Sequence, residues 1–256
     1  MIKLSAVIIT YNEERNIRRC LDSVKDVADE IVVVDSFSTD RTEQVCKSWG
    51  VRFIQHAFEG HIEQKNYAMS EAKHEYVLSL DADEALSEEL KSSIRNVKEK
   101  CNHDGYSFNR MTNFCGKWIK HCGWYPDKKV RLWDRNKGSW GGVNPHDKVI
   151  MQEDSSVEHL SGDLLHYSYY TIRENISQIN NFSDIAAGSS CEKGEKANIV
   201  LDIFLNPMFT FLKKYILQLG LLAGYYGLVI SINSAYFRFL KYAKLREMNK
   251  KSGQKV

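Results

Sequence analysis

The sequence predicts an α/β fold: a doubly wound, mostly parallel sheet with helices on both faces, followed by an amphipathic helical tail. Three observations lead there. Apolar, β-branched runs alternate with helix-like segments over residues 4–99, polar and acidic residues stand at the ends of those runs, and the chain after Met208 is apolar and bracketed by lysine and arginine. Parallel strands need helical crossovers, so a βαβα rhythm reads as a parallel sheet.

Taken in order, Leu4–Thr10 is the first strand-like run and Glu13–Val24 its crossover helix. The unit recurs as Glu30–Asp35 with Asp40–Trp49, Val51–Gln55 with Ile62–Ala72, and Tyr76–Asp81 with Ser87–Glu99. From about Gly105 to His166 the pattern turns to short aromatic-rich strands, Tyr106–Thr112, Lys129–Asp134 and Asp147–Met151, separated by Gly and Pro turns. A helix-like stretch, Thr171–Ala187, leads through a polar link, Gly188–Lys196, into the tail. The expected organisation is a ligand-binding half over residues 1–104, an acceptor-side half of the same domain over 105–196, and a tail over 197–256.

With 256 residues, 43% hydrophobic and 27% charged, the chain has ample material for one core and is neither disordered nor fibrous. The net charge of +2 hides an asymmetry: after Met208 nine basic residues face one acid, Glu247, so the body is acidic by six charges. An acidic body with a basic, apolar tail argues against nucleic acid as partner and for an anionic membrane surface. Six cysteines without regular spacing, and a first strand reached with no signal-peptide layout, point to a reducing cytosol. Cys101, His103, Cys115, His121 and Cys122 contain no CxxC pair, so ordinary packed thiols are favoured over structural zinc.

In doubly wound sheets ligands collect beyond the carboxyl ends of the strands. Those ends carry Thr10-Tyr11-Asn12-Glu13, Asp35-Ser36-Phe37-Ser38-Thr39-Asp40 and Asp81-Ala82-Asp83-Glu84. Asp81 and Asp83 emerge from a buried strand, and a hard cation, Mg²⁺ or Mn²⁺, takes one or two carboxylates while diphosphate oxygens complete its shell. Tyr11 offers a face for stacking a base, and Asp35 an acceptor for a base N–H. Structural roles stand beside these: Tyr11 closing the sheet edge, Asp40 capping a helix. Lys65 and Arg131 read as diphosphate partners or as solvated charges, and His166 as a metal or phosphate partner or as a structural histidine. A dehydrogenase is excluded, because Thr10-Tyr11-Asn12-Glu13-Glu14-Arg15 supplies no glycine turn.

Val7-Ile8-Ile9-Thr10-Tyr11-Asn12-Glu13, Ile31 to Asp40, Lys65-Asn66-Tyr67-Ala68 and Leu80-Asp81-Ala82-Asp83 together resemble the inverting glycosyltransferases of family 2, with the GT-A fold. Arg131-Leu132-Trp133, Gly142-Val143-Asn144-Pro145-His146-Asp147, Leu165-His166-Tyr167-Ser168 and the tail from Asn206 resemble the WaaE-like lipopolysaccharide core glucosyltransferase subgroup. The resemblance implies a UDP-sugar donor held by Thr10, Tyr11, Glu13, Asp35, Lys65, Asp81 and Arg131, with Tyr11 and Asp35 at the uracil and Asp81 near the ribose. It implies a divalent cation on Asp83, with Asp81 and His166 beside it, and a glycolipid acceptor deprotonated by a general base. Asp147 is the candidate base and His146 the reserve. Two departures stand out: Asp147 where the subgroup usually carries Glu, and Ser36-Phe37-Ser38 where the family often shows Asp-Gly-Ser. A polyprenyl-phosphate transferase and an inactive sugar-nucleotide-binding relative are the alternatives.

From Tyr215 to Phe237 no residue is charged. As one helix this run would reach about 35 Å, long enough to span a membrane. Its Gln218, Asn233, glycines and tyrosines, with basic residues on both flanks, favour helices lying in the interface, which places the enzyme on the inner face of the cytoplasmic membrane. A span, a core-packing helix and a homodimer contact are the other readings.

Overall fold

The computed structural model describes residues 1–143, 146–251 and 253, and the chain divides into two compact units, residues 1–111 with 126–167 and residues 112–125 with 168–256. The division therefore falls elsewhere than the expected boundaries at 104 and 196. The elements are β1 (Leu4–Thr10), α1 (Ile17–Val24), β2 (Glu30–Asp35), α2 (Thr42–Ser48), β3 (Arg52–Gln55), α3 (His61–Ser70), β4 (Tyr76–Asp81), β5 (Glu84–Leu86) and α4 (Glu88–Glu99). There follow β6 (Gly105–Phe114), β7 (Lys117–Trp118), β8 (Asp127–Asp134), β9 (Gly138–Val143), β10 (His146–Met151), β11 (Val157–Tyr169), α5 (Ile172–Glu192), α6 (Asn206–Leu212) and α7 (Tyr225–Lys251).

In the first unit the sheet order is β3-β2-β1-β4-β8-β6-β11-β5. It is parallel across β3, β2, β1 and β4, as the rhythm predicts, and becomes antiparallel where β8 meets β4 and β6 meets β8. Side chains alternate across both faces. Leu4, Ala6, Ile8, Val33, Leu78 and Leu80 join one core with Ile17, Leu21, Leu90 and Ile94 of α1 and α4. Val7, Val32, Val34 and Val77 join the other with Ala68 of α3. Burial on both faces is why these strands read as unbroken apolar runs.

The register sets the site. Thr10 pairs with Asp35 and Ile9 with Asp81, so the first, second and fourth strand ends lie on one edge. β8 lies against β4 with Leu132 opposite Leu78, which brings Arg131 to the same region. His166 of β11 pairs with Glu84 of β5. β11 went unpredicted because most of it is only half-buried and its first half is polar, leaving no clean alternation.

The second unit holds Phe114, Ile119, Cys122 and Ile230 in one core and Ala187, Ala197 and Leu245 in another. α5 opens on a capping box, Thr171 with Glu174, and runs to Glu192, past its expected end at Ala187. Buried Ser183, Ala187 and Ser190 continue its inner face, so packing carries the helix through a polar stretch. The uncharged run is not one helix. Leu219 at φ 54° and Gly224 at φ 64° interrupt it, with a 3₁₀ turn, Gly220–Ala223, between a π-helical turn and α7. Among the described residues no helix is long and apolar enough to cross a membrane. The cysteines are free thiols, and Cys101 and His103 belong to the first unit while Cys115, His121 and Cys122 belong to the second.

Ser87 caps α4 by accepting from the Leu90 N–H at 3.2 Å and accepts also from the Asp163 N–H at 3.0 Å, tying the helix to β11. Gly162 permits this approach: its φ is +97°, and a Cβ there would lie 2.3 Å from the Leu90 nitrogen. Gly162→Ala should destabilise the protein by about 1–3 kcal/mol. Chemical denaturation checks this, and an unchanged midpoint would mean that β11 and α4 separate freely.

Candidate functional site

The first-unit strand ends are laced to each other. Asn12, in the left-handed region at φ 54°, donates its N–H to Ser38 Oγ at 2.8 Å, and its side-chain oxygen accepts from the Thr39 N–H at 2.8 Å. The Glu13 N–H reaches Thr42 Oγ1 at 2.8 Å, and Asp40 accepts from the N–H groups of Thr42 and Glu14. Asp40 thus ties the start of α2 to the segment after β1, while the N-cap position itself is Arg41, without a side-chain cap. Tyr11 stands exposed at the rim, and Phe37, at φ 61°, is a second exposed aromatic on the neighbouring loop. Asp35 is fully buried, and Ser38 donates to both of its carboxylate oxygens through its N–H and its hydroxyl. In this arrangement Asp35 organises the loop after β2. Thr10 Oγ1 is buried without a hydrogen-bond partner.

At the end of β4 a charged network forms around one indole. Lys65, on α3, lies 2.7 Å from Asp147 and 3.1 Å from Asp81, and its side chain is only 5% exposed. Arg131 is 3% exposed and lies 2.9 Å from Glu84 and 3.4 Å from Asp81. The solvated-charge reading of Lys65 and Arg131 fails on this burial. Both cations sit over the Trp140 ring, 4.4 Å and 5.0 Å from its centroid. Trp140 donates its indole N–H to Ser79 at 3.2 Å. Asn66 clamps the backbone N–H and C=O of Trp140 at 3.0 and 2.9 Å, holding the β9–β10 hairpin against α3. Burial opposes ionisation of Asp81, but Lys65 and Arg131 outweigh it and hold the carboxyl below the usual range. Burial holds the Glu84 carboxyl above it, against the pull of Arg131.

These side chains line a cleft of about 560 Å³ that also includes Arg110, Lys128 and Lys148. Two NH groups of Arg131, Nε and Nη1, are buried without a partner. A buried guanidinium with unmet donors suits an anionic ligand such as a diphosphate. Asp147 lies in the cleft beside Lys65, at β10, where it pairs with Gly142. The His146 side chain and residues Asn144 and Pro145 lie outside the described residues, so the reserve base has no side-chain geometry here.

Asp83 and His166 form a second pair, Nε2 to Oδ2 at 3.1 Å. Burial disfavours a charged imidazole, yet the Asp83 carboxylate prevails and raises the His166 pKa. His166 Nδ1 is buried without a partner. Among the described residues no three His, Cys, Asp or Glu side chains gather into a metal cage. A pair is nonetheless what an Mg²⁺ or Mn²⁺ site shared with diphosphate oxygens requires, and neighbouring ligands on an octahedral ion with bonds of ~2.1 Å stand about 3 Å apart. Asp83 and His166 fit that donor set. Asp81 fits it less well, since both its oxygens already face cations.

Sequence reasoning left Trp140, Glu84 and Ser38 unassigned. Glu84 directly follows the Asp81-Ala82-Asp83 segment and Asn66 follows Lys65, so adjacency was the available signal. Trp140 carried none beyond its aromatic type.

The family model "Glycosyl transferase family 2" matches residues 5–155. An uncharacterized glycosyltransferase of Rickettsia typhi is 33% identical over 98% of this chain and 89% of its own length. The lipopolysaccharide core biosynthesis glycosyltransferase LpsC of Rhizobium meliloti is 28% identical over 95% of this chain and 92% of its own. Among solved structures, S. aureus TarS 1–349 in complex with UDP aligns over 99% of this chain and 92% of its own, at 16% identity and a TM-score of 0.46.

Glu13 yields a prediction about the site's electrostatics. Burial pushes its carboxyl from 4.5 up to about 7; a hydrogen bond from Asn16 opposes this, and Asp83 adds repulsion. A raised carboxyl pKa means that the folded protein holds the proton more tightly, so the stability Glu13 contributes is full below pH 4.5 and lost as pH rises through about 7. In Glu13→Gln this loss should vanish, and the difference in unfolding free energy between wild type and variant should change across that window. A constant difference from acid to neutral pH would refute it.

Proposed function

The chain belongs to glycosyl transferase family 2, and from that footing we propose an inverting enzyme that moves a hexose from a UDP-sugar to a lipopolysaccharide core or similar cell-surface glycolipid. The observation that carries the mechanism is the disposition of carboxylates in the cleft. Asp81 is held between two cations, Lys65 and Arg131, whereas Asp147, the other carboxylate lining the cavity, pairs with Lys65 at 2.7 Å. Tyr11 stacks the base from the exposed rim, and Arg131 donates its unmet N–H groups to the diphosphate. Asp83 and His166 would hold a divalent cation, whose chemistry is to neutralise the charge developing on the leaving diphosphate. Asp147 takes the proton from the acceptor hydroxyl as that oxygen bonds to the sugar's anomeric carbon and the bond to the diphosphate breaks. Attack from the face away from the leaving group inverts the anomeric centre.

Asp147→Asn should lower turnover by about 10²–10⁴-fold while UDP still binds. A residue that only binds donor would instead weaken the nucleotide's affinity, and near-normal turnover would pass the role to His146.

The tail supports placement on a membrane. Val200, Leu201, Phe204, Phe209 and Leu217 are 59–71% exposed, and an apolar groove of about 610 Å³ runs between Phe204, Met208 and Phe211 on one side and Ile232, Tyr236 and Phe239 on the other. So large an exposed apolar surface marks an interaction site, and Lys213, Arg238 and Lys241 flank its residues along the sequence with positive charge. Leu201→Glu with Phe209→Glu should lower binding to vesicles containing anionic phospholipid by about tenfold or more while UDP still binds. Undiminished vesicle binding, with loss of a dimer on sedimentation, would assign the surface to a second copy of the chain.

A further inference from the structure

The cleft has more positive charge than the donor accounts for. Its lining includes the cations Lys65, Arg110, Lys128, Lys129, Arg131 and Lys148 against the carboxylates Asp81 and Asp147. Behind the lining, Glu84 and Asp127 complete a balanced network. Lys65 pairs with Asp81 and Asp147, Arg131 with Asp81 and Glu84, Arg110 with Asp127 at 2.9 Å, and Lys129 with Asp127 at 3.1 Å. Four cations thus face four carboxylates. Lys128 and Lys148 enter none of these pairs; both are exposed at the cleft, on β8 and on β10.

A sugar nucleotide's diphosphate carries one negative charge on each phosphate. A divalent cation on Asp83 and His166 would cancel that charge, and the unmet N–H groups of Arg131 already meet it in part. Neither arrangement calls on Lys128 or Lys148. Both lysines line the same cavity as Asp147, and Lys148 follows it along β10. The surplus therefore lies where the acceptor must sit if Asp147 is its base. A cavity lined by one sign of charge concentrates ligands of the opposite sign, and like charge against it would be repelled.

We infer that the acceptor is anionic: a saccharide with a phosphate or carboxylate group held by Lys128 and Lys148 while its nucleophilic hydroxyl faces Asp147. The inference rests on reading this cleft as the acceptor site of a sugar transferase. It adds that the enzyme discriminates by charge, rejecting neutral glycans of similar shape.

The test is calorimetry on the full chain saturated with UDP. The titrant is core oligosaccharide released from lipopolysaccharide, used native, after phosphatase treatment, and after reduction of its carboxylates. The native oligosaccharide should bind. Removal of the recognised group should weaken binding by about tenfold or more, the scale of a charge-assisted hydrogen bond, and the arm that does so identifies phosphate or carboxylate. Lys128→Ser with Lys148→Ser should reduce native affinity to that of the neutralised oligosaccharide, with UDP affinity unaltered. Equal binding of native and doubly neutralised oligosaccharide, no binding of the native form, or full native affinity in the double variant would each overturn the inference. Failure of the wild-type chain to bind UDP would instead remove the sugar-transferase reading beneath it.

Discussion

Two buried cations, Lys65 and Arg131, share one indole ring, and the rest of the site is arranged around keeping them charged. Taking an ammonium and a guanidinium out of water costs several kcal/mol each unless carboxylates and aromatic faces replace the lost solvent. Asp81, Asp147 and Glu84 supply the carboxylates, and Trp140 the face. Each partner comes from a different element: Lys65 from α3, Asp81 from β4, Glu84 from β5, Arg131 from β8, Trp140 from β9 and Asp147 from β10. The network therefore fixes β8, the β9–β10 hairpin and α3 against the end of β4. The same groups that make this corner stable leave Nε and Nη1 of Arg131 buried without a partner, which an anion in the cleft would satisfy.

How far the sequence exposed this differs by region, for physical reasons. β1 to β4 were legible because strands covered on both faces must be apolar throughout, and because each parallel strand needs its crossover helix. Their acidic ends were legible for the same reason, since a carboxylate terminating a buried strand breaks the pattern. Lys65 and Arg131 were visible as cations, but not their burial, which depends on partners up to 82 residues away in sequence. Trp140 was invisible as a site residue, because an aromatic in a glycine-rich hairpin fits a core as readily as a cation platform. Asp35 was legible as a carboxylate at a strand end, but not its burial or the two hydrogen bonds from Ser38, which depend on how the loop after β2 folds back.

In the tail, charge-free length allowed a single helix while composition favoured several lying in the interface, and local geometry breaks the run at Leu219 and Gly224. Gly227 then packs so near the 3₁₀ turn that a Cβ would lie 1.8 Å from the Gly220 carbonyl oxygen. A window of hydropathy averages over such contacts and cannot register them. The outcome is several short helical pieces ahead of the 27-residue α7, with apolar side chains such as Leu201, Phe204 and Phe209 left exposed.

Asp83 and His166 connect the two halves of the site's chemistry. The Asp83 carboxylate, 3.1 Å away, raises the His166 pKa against the opposing effect of burial. A divalent cation bound there would need the imidazole deprotonated, so metal and proton compete for the same pair. Glu13, Asp81 and Glu84 lie close enough to contribute to this field, and Asp81 is already balanced by Lys65 and Arg131. A cation there would therefore draw its attraction mainly from Asp83 and from the phosphates of the donor. A divalent cation held by such a pair would bind more firmly with the donor's phosphates present than without them.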